Sequence, residues 1–236
     1  MENSGKAAAK AISDKYNVIA KRICVVCGKG NNGGDGIVVA SILAKMGAFV
    51  SLYFPFGEPV TETAQCFMHC VKNLKKINYV DKNADIIIDA IFGIGLDRTL
   101  DNTTRQVIND MNESNARKIA IDIPSGVFGD GGRDETAFVA DFTVTFIAYK
   151  PCFFLPETVD LFGEVKLLDI GVPVIDYAYS IITAPPIRKR QKNSHKGTYG
   201  TALLLWGSYG MCGAEILAAR AALRSGVGLV KAIVCD

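Results

Sequence analysis

The chain has no excess of charge of either sign. Its 26 Lys and Arg stand against 24 Asp and Glu, a formal net charge of +2 over 236 residues, so it carries no basic field of the kind that draws a protein to nucleic acid or to an anionic membrane. No apolar run comes near the roughly 18 uninterrupted residues a membrane helix needs, and no charged-then-apolar leader ending in small residues opens the chain. The expectation is a cytoplasmic protein with no membrane and no nucleic-acid partner. Cysteine lacks any framework spacing: there are seven, an odd number scattered through apolar runs, which reads as reduced thiols in a reducing compartment. Internal repeats and low-complexity tracts are absent too. What is present, 49% hydrophobic and 21% charged residues, suits a globular chain able to bury one sizeable core or somewhat more.

Apolar runs alternate with helical spacing. A helical stretch over 3–20 precedes the run "RICVVC" at 22–27, and further helical stretches near 34–46, 60–76 and 102–115 separate runs at 48–54, 85–89, 118–122 and 141–147. Strands alternating with helices of this length predict parallel crossover units. The fold class is therefore α/β, a doubly wound, mostly parallel sheet with helices on both faces. From 176 to 197 the texture changes to "DYAYSIITAPPIRKRQKNSHKG", with paired prolines, a basic cluster and no period, the signature of a linker. Beyond it, "TALLLWG" reads as a strand, "AEILAARAALRSG" as a helix closed by Gly226 and "LVKAIV" as another strand. So short a tail cannot make a core of its own.

The stretch "CGKGNNGGDGIVVA" at 27–40 holds five glycines between a strand and a helix. Gly28, Gly30 and Gly33 satisfy G-x-G-x-x-G, which would place a pyrophosphate at the helix N-terminus. The acidic residue that should hold the ribose about 20 positions on is missing, the sequence there reading "SLYFPF", which disfavours a nicotinamide-dependent dehydrogenase. A Walker A loop is excluded by the lack of Gly-Lys-Ser/Thr. Left over is Asn31, Asn32, Gly33, Gly34 and Asp35, more conformationally permissive residues than a turn needs. Asp35 either caps the helix from its first turn or serves a site.

Two further strands end in polar residues on the same edge. "IIIDAIFGIGLDR" puts Asp89 at a strand exit ahead of a glycine-bearing loop, and "AIDIPSG" does the same for Asp122 and Ser125. Open parallel sheets bind ligands outside the carboxyl ends of their strands, so three such exits predict one crevice.

Five motifs, "MENSGKAAA", "GKGNNGGDGIVVASILAKMGAFV", "DIIIDAIFGIGLDRTL", "IAIDIPSGVFGD" and "ADFTVTFIAYKP…GEVKLLDIGVP", resemble in order and spacing the YjeF N-terminal family, the NAD(P)H-hydrate epimerases, over residues 1 to about 175. The tail from "HKGTYGTALLLWG" resembles the first segment of the ADP- or ATP-dependent NAD(P)H-hydrate dehydratases. The resemblance implies a Rossmann-like epimerase domain at 1–175, a linker at 176–197 and the opening fragment of a ribokinase-like α/β domain at 198–236. It further implies that Met1 is an internal methionine, because family members begin with an upstream helix, and that the chain is cut within its second domain, whose ADP or ATP site lies further on.

Residue by residue, the resemblance implies that Asn31, Asn32, Gly33, Gly34 and Asp35 contact a hydrated nicotinamide nucleotide (NADHX or NADPHX). A second contacting segment is Gly93, Ile94, Gly95, Leu96, Asp97, Arg98 and Thr99, and Asp122 lies at the reacting ring. It implies a potassium ion on Asn32, Asp89 and Ser125, a donor set of amide, carboxylate and hydroxyl oxygens that suits a hard monovalent cation. The implied reaction is inversion at C6 of the nicotinamide ring, with Asp122 as acid/base and Asp35 as its competitor. The family commonly has Thr at Ile94, Pro at Thr99 and Gly at Cys152. A small-molecule substrate and a homo-oligomer are the expected partners. The rival reading is a noncatalytic interaction module on the same fold, as in mRNA-decapping enhancers, and retention of Asn31 to Asp35 with Asp89, Asp122 and Ser125 argues against it.

Other signals are discounted. Cys24 and Cys27 form C-x-x-C on a strand, where odd separation puts them on opposite faces. Cys66, His69 and Cys70 read as a core or half-buried helical stripe. The basic run at 188–192, with His195 and Lys196 after it, reads as solvated linker.

Overall fold

The computed structural model describes residues 1–173, 180, 189–205 and 213–233, and the chain falls into two compact units, Met1–Tyr177 and Ala178–Asp236. The first opens with helix α1 (Glu2–Lys15), then β1 (Arg22–Cys27), α2 (Asn31–Lys45), β2 (Phe49–Tyr53), α3 (Glu62–Phe67), β3 (Lys75–Ile77), β4 (Ile86–Ala90), α4 (Asn102–Asn112), β5 (Arg117–Ile121), β6 (Phe142–Phe146) and β7 (Glu164–Leu168). The seven strands form one sheet in the order β3-β2-β1-β4-β5-β6-β7, every pairing parallel. This is a Rossmann-like sheet whose strand order, not strand direction, reverses between β1 and β4. Its central strands are apolar because helices cover both faces, leaving no solvent side for polar alternation; all five residues of β4 are buried.

One face packs Ile23, Val25 and Ile88 against Ala8 and Ile12 of α1 and Ile37 and Leu43 of α2. The other packs Cys24, Val26 and Ile87 against Val107, Ile108 and Met111 of α4. Cys24 and Cys27 fall in different clusters, on opposite faces as their odd separation requires, and burial raises both thiols above the ordinary range.

Three elements depart from the sequence expectation. Helix α1 stops at Lys15 instead of reaching 20. The stretch read as one helix over 60–76 holds only α3 and a single 3-10 turn, Met68–Val71, and its end becomes the edge strand β3. Cys66, His69 and Cys70 are consequently exposed, with no apolar face opposite to bury them. Strand β7, which the sequence reading passed over, pairs among the described residues only with β6, and as an edge strand it mixes Glu164 and Lys166 with its apolar residues.

Asp134 clamps the approach to the carboxyl edge. It is 4% exposed and accepts from the Leu100 and Thr136 N–H groups and from Arg105 Nε at 2.9 Å and Nη2 at 3.1 Å. The guanidinium holds its carboxyl down at about 2, against about 3.9 in an unfolded chain. A depressed carboxyl contributes stability above its unfolded value and loses it as pH falls through the folded one. Melting temperatures should therefore drop between pH 4 and pH 2, and Asp134→Asn should melt lower at neutral pH with a flatter acid limb. An unchanged acid slope in that variant would refute the assignment.

In the second unit, β8 (Thr201–Leu205) pairs in parallel with β9 (Leu229–Ile233) beside α5 (Gly213–Arg224), and Gly226 follows the helix with φ +100°, a left-handed stop suited to glycine. The linker reading falls mostly on residues outside the described ones. Among the described residues, no helix is long and apolar enough to cross a membrane.

Candidate active site

The glycine-rich stretch is shorter as a loop than its sequence suggests. Helix α2 starts at Asn31, with Gly30 as its N-cap, so Asn31, Asn32, Gly33 and Gly34 form its first turn. Asp35 lies beyond that turn and does not cap it. Its carboxyl instead accepts the Ser4 hydroxyl of α1 at 2.5 Å, and burial pushes it up to about 6. Gly28 and Gly33 have a steric role. A Cβ on Gly33 would overlap the Gly28 carbonyl, and one on Gly28 would overlap the Ile91 carbonyl, so the backbones of the β1 exit, α2 and the β4 exit touch with no room for side chains. Gly34 packs beneath the Met1 side chain and Ala64.

That contact brings the exits of β1, β4 and β5 onto one residue, Phe92. Asn32 Nδ2 donates to the Phe92 carbonyl at 2.7 Å, and the Phe92 N–H donates to Ser125 Oγ at 3.0 Å. Ser125 donates from Oγ to Asp89 Oδ1 and from its N–H to Oδ2, both at 2.7 Å, and the Ile91 N–H reaches Oδ1 at 3.0 Å. Asp89 is fully buried, and its burial raises the carboxyl to about 6 although the three donors pull the other way. The Asn32 amide and the Ser125 hydroxyl thus meet at Phe92, and Ser125 in turn binds the buried carboxylate of Asp89.

Asp122 follows β5 in an unusual backbone state. Its φ is +66°, and the Ile123 N–H returns to the Ile121 carbonyl at 3.0 Å, a classic γ-turn that non-glycine residues rarely accept. The next exit repeats it: Ile147 after β6 has φ +68° and is spanned by Ala148 N–H to Phe146 O at 2.7 Å. Each turn stores of order 1–3 kcal/mol, and strain of this kind collects at functional sites. Asp122 Oδ2 accepts the Ile94 N–H at 3.0 Å, tying it to the 93–99 loop, and Oδ1 accepts Lys150 Nζ at 2.6 Å.

These exits surround a cleft of about 1200 Å³. Of the residues the sequence singles out, Asn31, Asn32, Asp35, Gly93, Ile94, Gly95, Leu96, Arg98, Thr99 and Asp122 line it. Gly33, Gly34 and Asp97 do not, and Asp89 and Ser125 sit behind its wall. Three contributors were given no role in the sequence reading: Phe56, stacked on Phe92 with ring centroids 6.4 Å apart, and Tyr149 and Lys150 from the β6 exit. The rule that found the first three exits, applied to a fourth strand, finds Lys150.

Comparison with known proteins follows the same lines. A family profile described as "YjeF-related protein N-terminus" matches residues 1–152. Curated proteins named bifunctional NAD(P)H-hydrate repair enzyme Nnr are similar over nearly the whole chain. That of Moorella thermoacetica is 34% identical over 99% of this chain and 49% of its own length, that of Escherichia coli 31% over 99% and 48%, and that of Pyrobaculum aerophilum 36% over 97% and 49%. The chain thus spans about half the length of these relatives, matching their N-terminal half. The crystal structure of yeast ynu0, YNL200c, shares the fold with a TM-score of 0.61 at 19% identity, covering 76% of this chain and 86% of that one.

Proposed function

The chain belongs to the family described as YjeF-related protein N-terminus, and from that premise we propose that its first unit is an NAD(P)H-hydrate epimerase that interconverts the R and S forms at C6 of the hydrated nicotinamide ring. The observation that carries the proposal is the cleft at the switch point of the sheet, where Asp122 and Asp35 both face the space that Asn31, Asn32 and the 93–99 loop enclose. C6 of the hydrate bears a hydroxyl and is bonded to the ring nitrogen. When Asp122 takes the hydroxyl proton, C6–O becomes a carbonyl, the C6–N bond opens with its electron pair on nitrogen, and nitrogen takes a proton. Closure on the other carbonyl face by the reverse steps inverts the centre. Asp35, raised to about 6 by burial, is partly protonated near neutral pH and is suited to supply that proton. The second unit is the proposed start of an ADP- or ATP-dependent dehydratase domain, on sequence resemblance alone.

Potassium fits the residues behind the cleft wall. Asp89 is a fully buried carboxylate that accepts from two N–H groups and one O–H group, with no cationic side chain bound to it among the described residues. A buried anion of that kind calls for a compensating charge. Asn32 Oδ1, Ser125 Oγ and Asp89 would hold such an ion, which would supply charge neutralisation at the junction of the three exits. Binding to the folded state alone stabilises by about 2.7 kcal/mol at a hundredfold excess over Kd. The wild type should therefore melt several degrees higher in potassium chloride than in tetramethylammonium chloride of equal ionic strength, and Asp89→Asn should lose that increment. Equal increments in the two proteins would remove potassium from Asp89.

The function is tested by mixing the protein with the R-hydrate and following the S form by chromatography, with and without potassium. No conversion in either buffer would refute the epimerase.

A further inference from the structure

Lys150 falls within the fifth of the motifs that carry the family resemblance, but the resemblance gives it no role at the site, and its ammonium makes three hydrogen bonds at the cleft. The Lys150 and Asp122 side chains are 11% and 13% exposed. Nζ donates to Asp122 Oδ1 at 2.6 Å, to Thr145 Oγ1 at 2.6 Å and to the Phe146 carbonyl at 3.2 Å. All three ammonium protons are thereby committed, and none is left for a substrate phosphate. Thr145, fully buried on β6, also reaches Asp122 Oδ1 from its hydroxyl at 3.3 Å.

The two carboxylate oxygens of Asp122 thus have different surroundings. Oδ1 is held by Lys150 and Thr145. Oδ2 receives one backbone N–H, from Ile94, and lies so near Gly93 that a Cβ there would come within 2.8 Å of it. Stability does not account for the arrangement, because a shielded ion pair returns little more than its desolvation costs and an apolar replacement serves folding as well. Both strained γ-turns are needed for it: one aims Asp122 out of β5, and the other folds the chain after β6 back so that Lys150 reaches across to it.

We infer that Lys150 is a positioning residue for the epimerisation. By committing Oδ1 it orients the Asp122 carboxylate so that Oδ2, on the side of the 93–99 loop, is the oxygen that exchanges the substrate proton. The inference rests on the epimerase reading and deepens it. A carboxylate free to rotate spends much of its time with neither oxygen aligned on the hydroxyl, so loss of the hold lowers turnover and leaves ground-state binding in place.

The test uses the full chain, with the R-hydrate as substrate. Lys150→Ala should lower kcat about 100-fold and leave KM within about threefold of wild type. Added n-propylammonium, which restores the missing ammonium, should recover at least about tenfold of that loss where n-propanol recovers none. Lys150→Arg, which keeps the charge with a wider head, should fall between. If Lys150→Ala shows no cooperative melt, Thr145→Val takes its place, with a kcat about tenfold lower at unchanged KM. A kcat within threefold of wild type, or a loss confined to KM, overturns the inference and leaves the epimerase standing. An inactive wild type refutes the epimerase reading, and this inference with it.

Discussion

Asp122→Asn is expected to lower kcat for R-to-S conversion by about 10³-fold, within the range that loss of one acid/base group produces. The same chain should still fold. Asparagine tolerates positive φ better than almost any other non-glycine residue, so the γ-turn at φ +66° survives the exchange. What the amide cannot do is accept on both sides. The carboxylate takes Lys150 on Oδ1 and the Ile94 N–H on Oδ2, but a carboxamide turns an NH₂ toward one of them and leaves Lys150 without its counter-charge. A modest loss of stability of about 1–3 kcal/mol should accompany the kinetic loss, read as a lower melting temperature in a transition that remains cooperative. Asp35→Asn, which removes a proton source and keeps the proton acceptor, should cost less, about tenfold in kcat. Turnover within a few-fold of wild type in Asp122→Asn would exclude it as the acid/base, and a larger loss in Asp35→Asn would reverse the two roles.

Gly33→Ala should produce the largest loss of stability. In an exposed helix, alanine for glycine gains about 1 kcal/mol. Here the new methyl would overlap the Gly28 carbonyl, which belongs to a backbone already pressed on Ile91. Backbone on both sides leaves nothing that can rotate away, so the contact must be relieved by separating α2 from the β1 exit. We expect a net loss of about 3 kcal/mol and a fall of about 10 °C in melting temperature for a unit of this size. Asn32 rides on the same turn, so the hydrogen bond from its side chain to Phe92 should be lost as well. Gly30→Ala is the control. A Cβ at Gly30 meets nothing within 4 Å and its extended backbone is open to alanine, so that variant should lose only the roughly 1 kcal/mol by which alanine is the poorer N-cap. Equal melting temperatures for Gly33→Ala and wild type would show that the backbones can part freely, and the steric account of the loop would fail.

Much of this site is legible in one dimension because parallel sheets put every strand exit on one edge. Asp89, Asp122 and Ser125 follow apolar runs, and that position alone commits them to one edge of the sheet, though only Asp122 lines the cleft. Lys150 follows an apolar run too, but the two residues that bring it onto Asp122 are in γ-turns, and no sequence signal announces positive φ at an aspartate and an isoleucine. The start of α2 was obscured for a different reason. Asn-Asn-Gly-Gly has poor helix propensity, and it is helical only because the close approach of Gly28 and Gly33 and the packing of α2 on the sheet outweigh that local preference. Strands β3 and β7 carry the weakest patterns because edge strands have one neighbour and partial solvent contact, so their residues need not be apolar.

The sequence by itself determined the class of fold, the order of its elements and the edge on which chemistry would gather, since those follow from periodicity and the geometry of parallel crossovers. Only the tertiary structure decided which polar residues touch. It put Asp89 and Ser125 behind the wall with Asn32 reaching them through Phe92, detached Asp35 from the helix cap and set Lys150 against Asp122. Those outcomes depend on contacts between residues 28 to 60 positions apart, and the free energy that selects them comes from burial and backbone overlap shared by several elements at once, which local residue preferences do not encode.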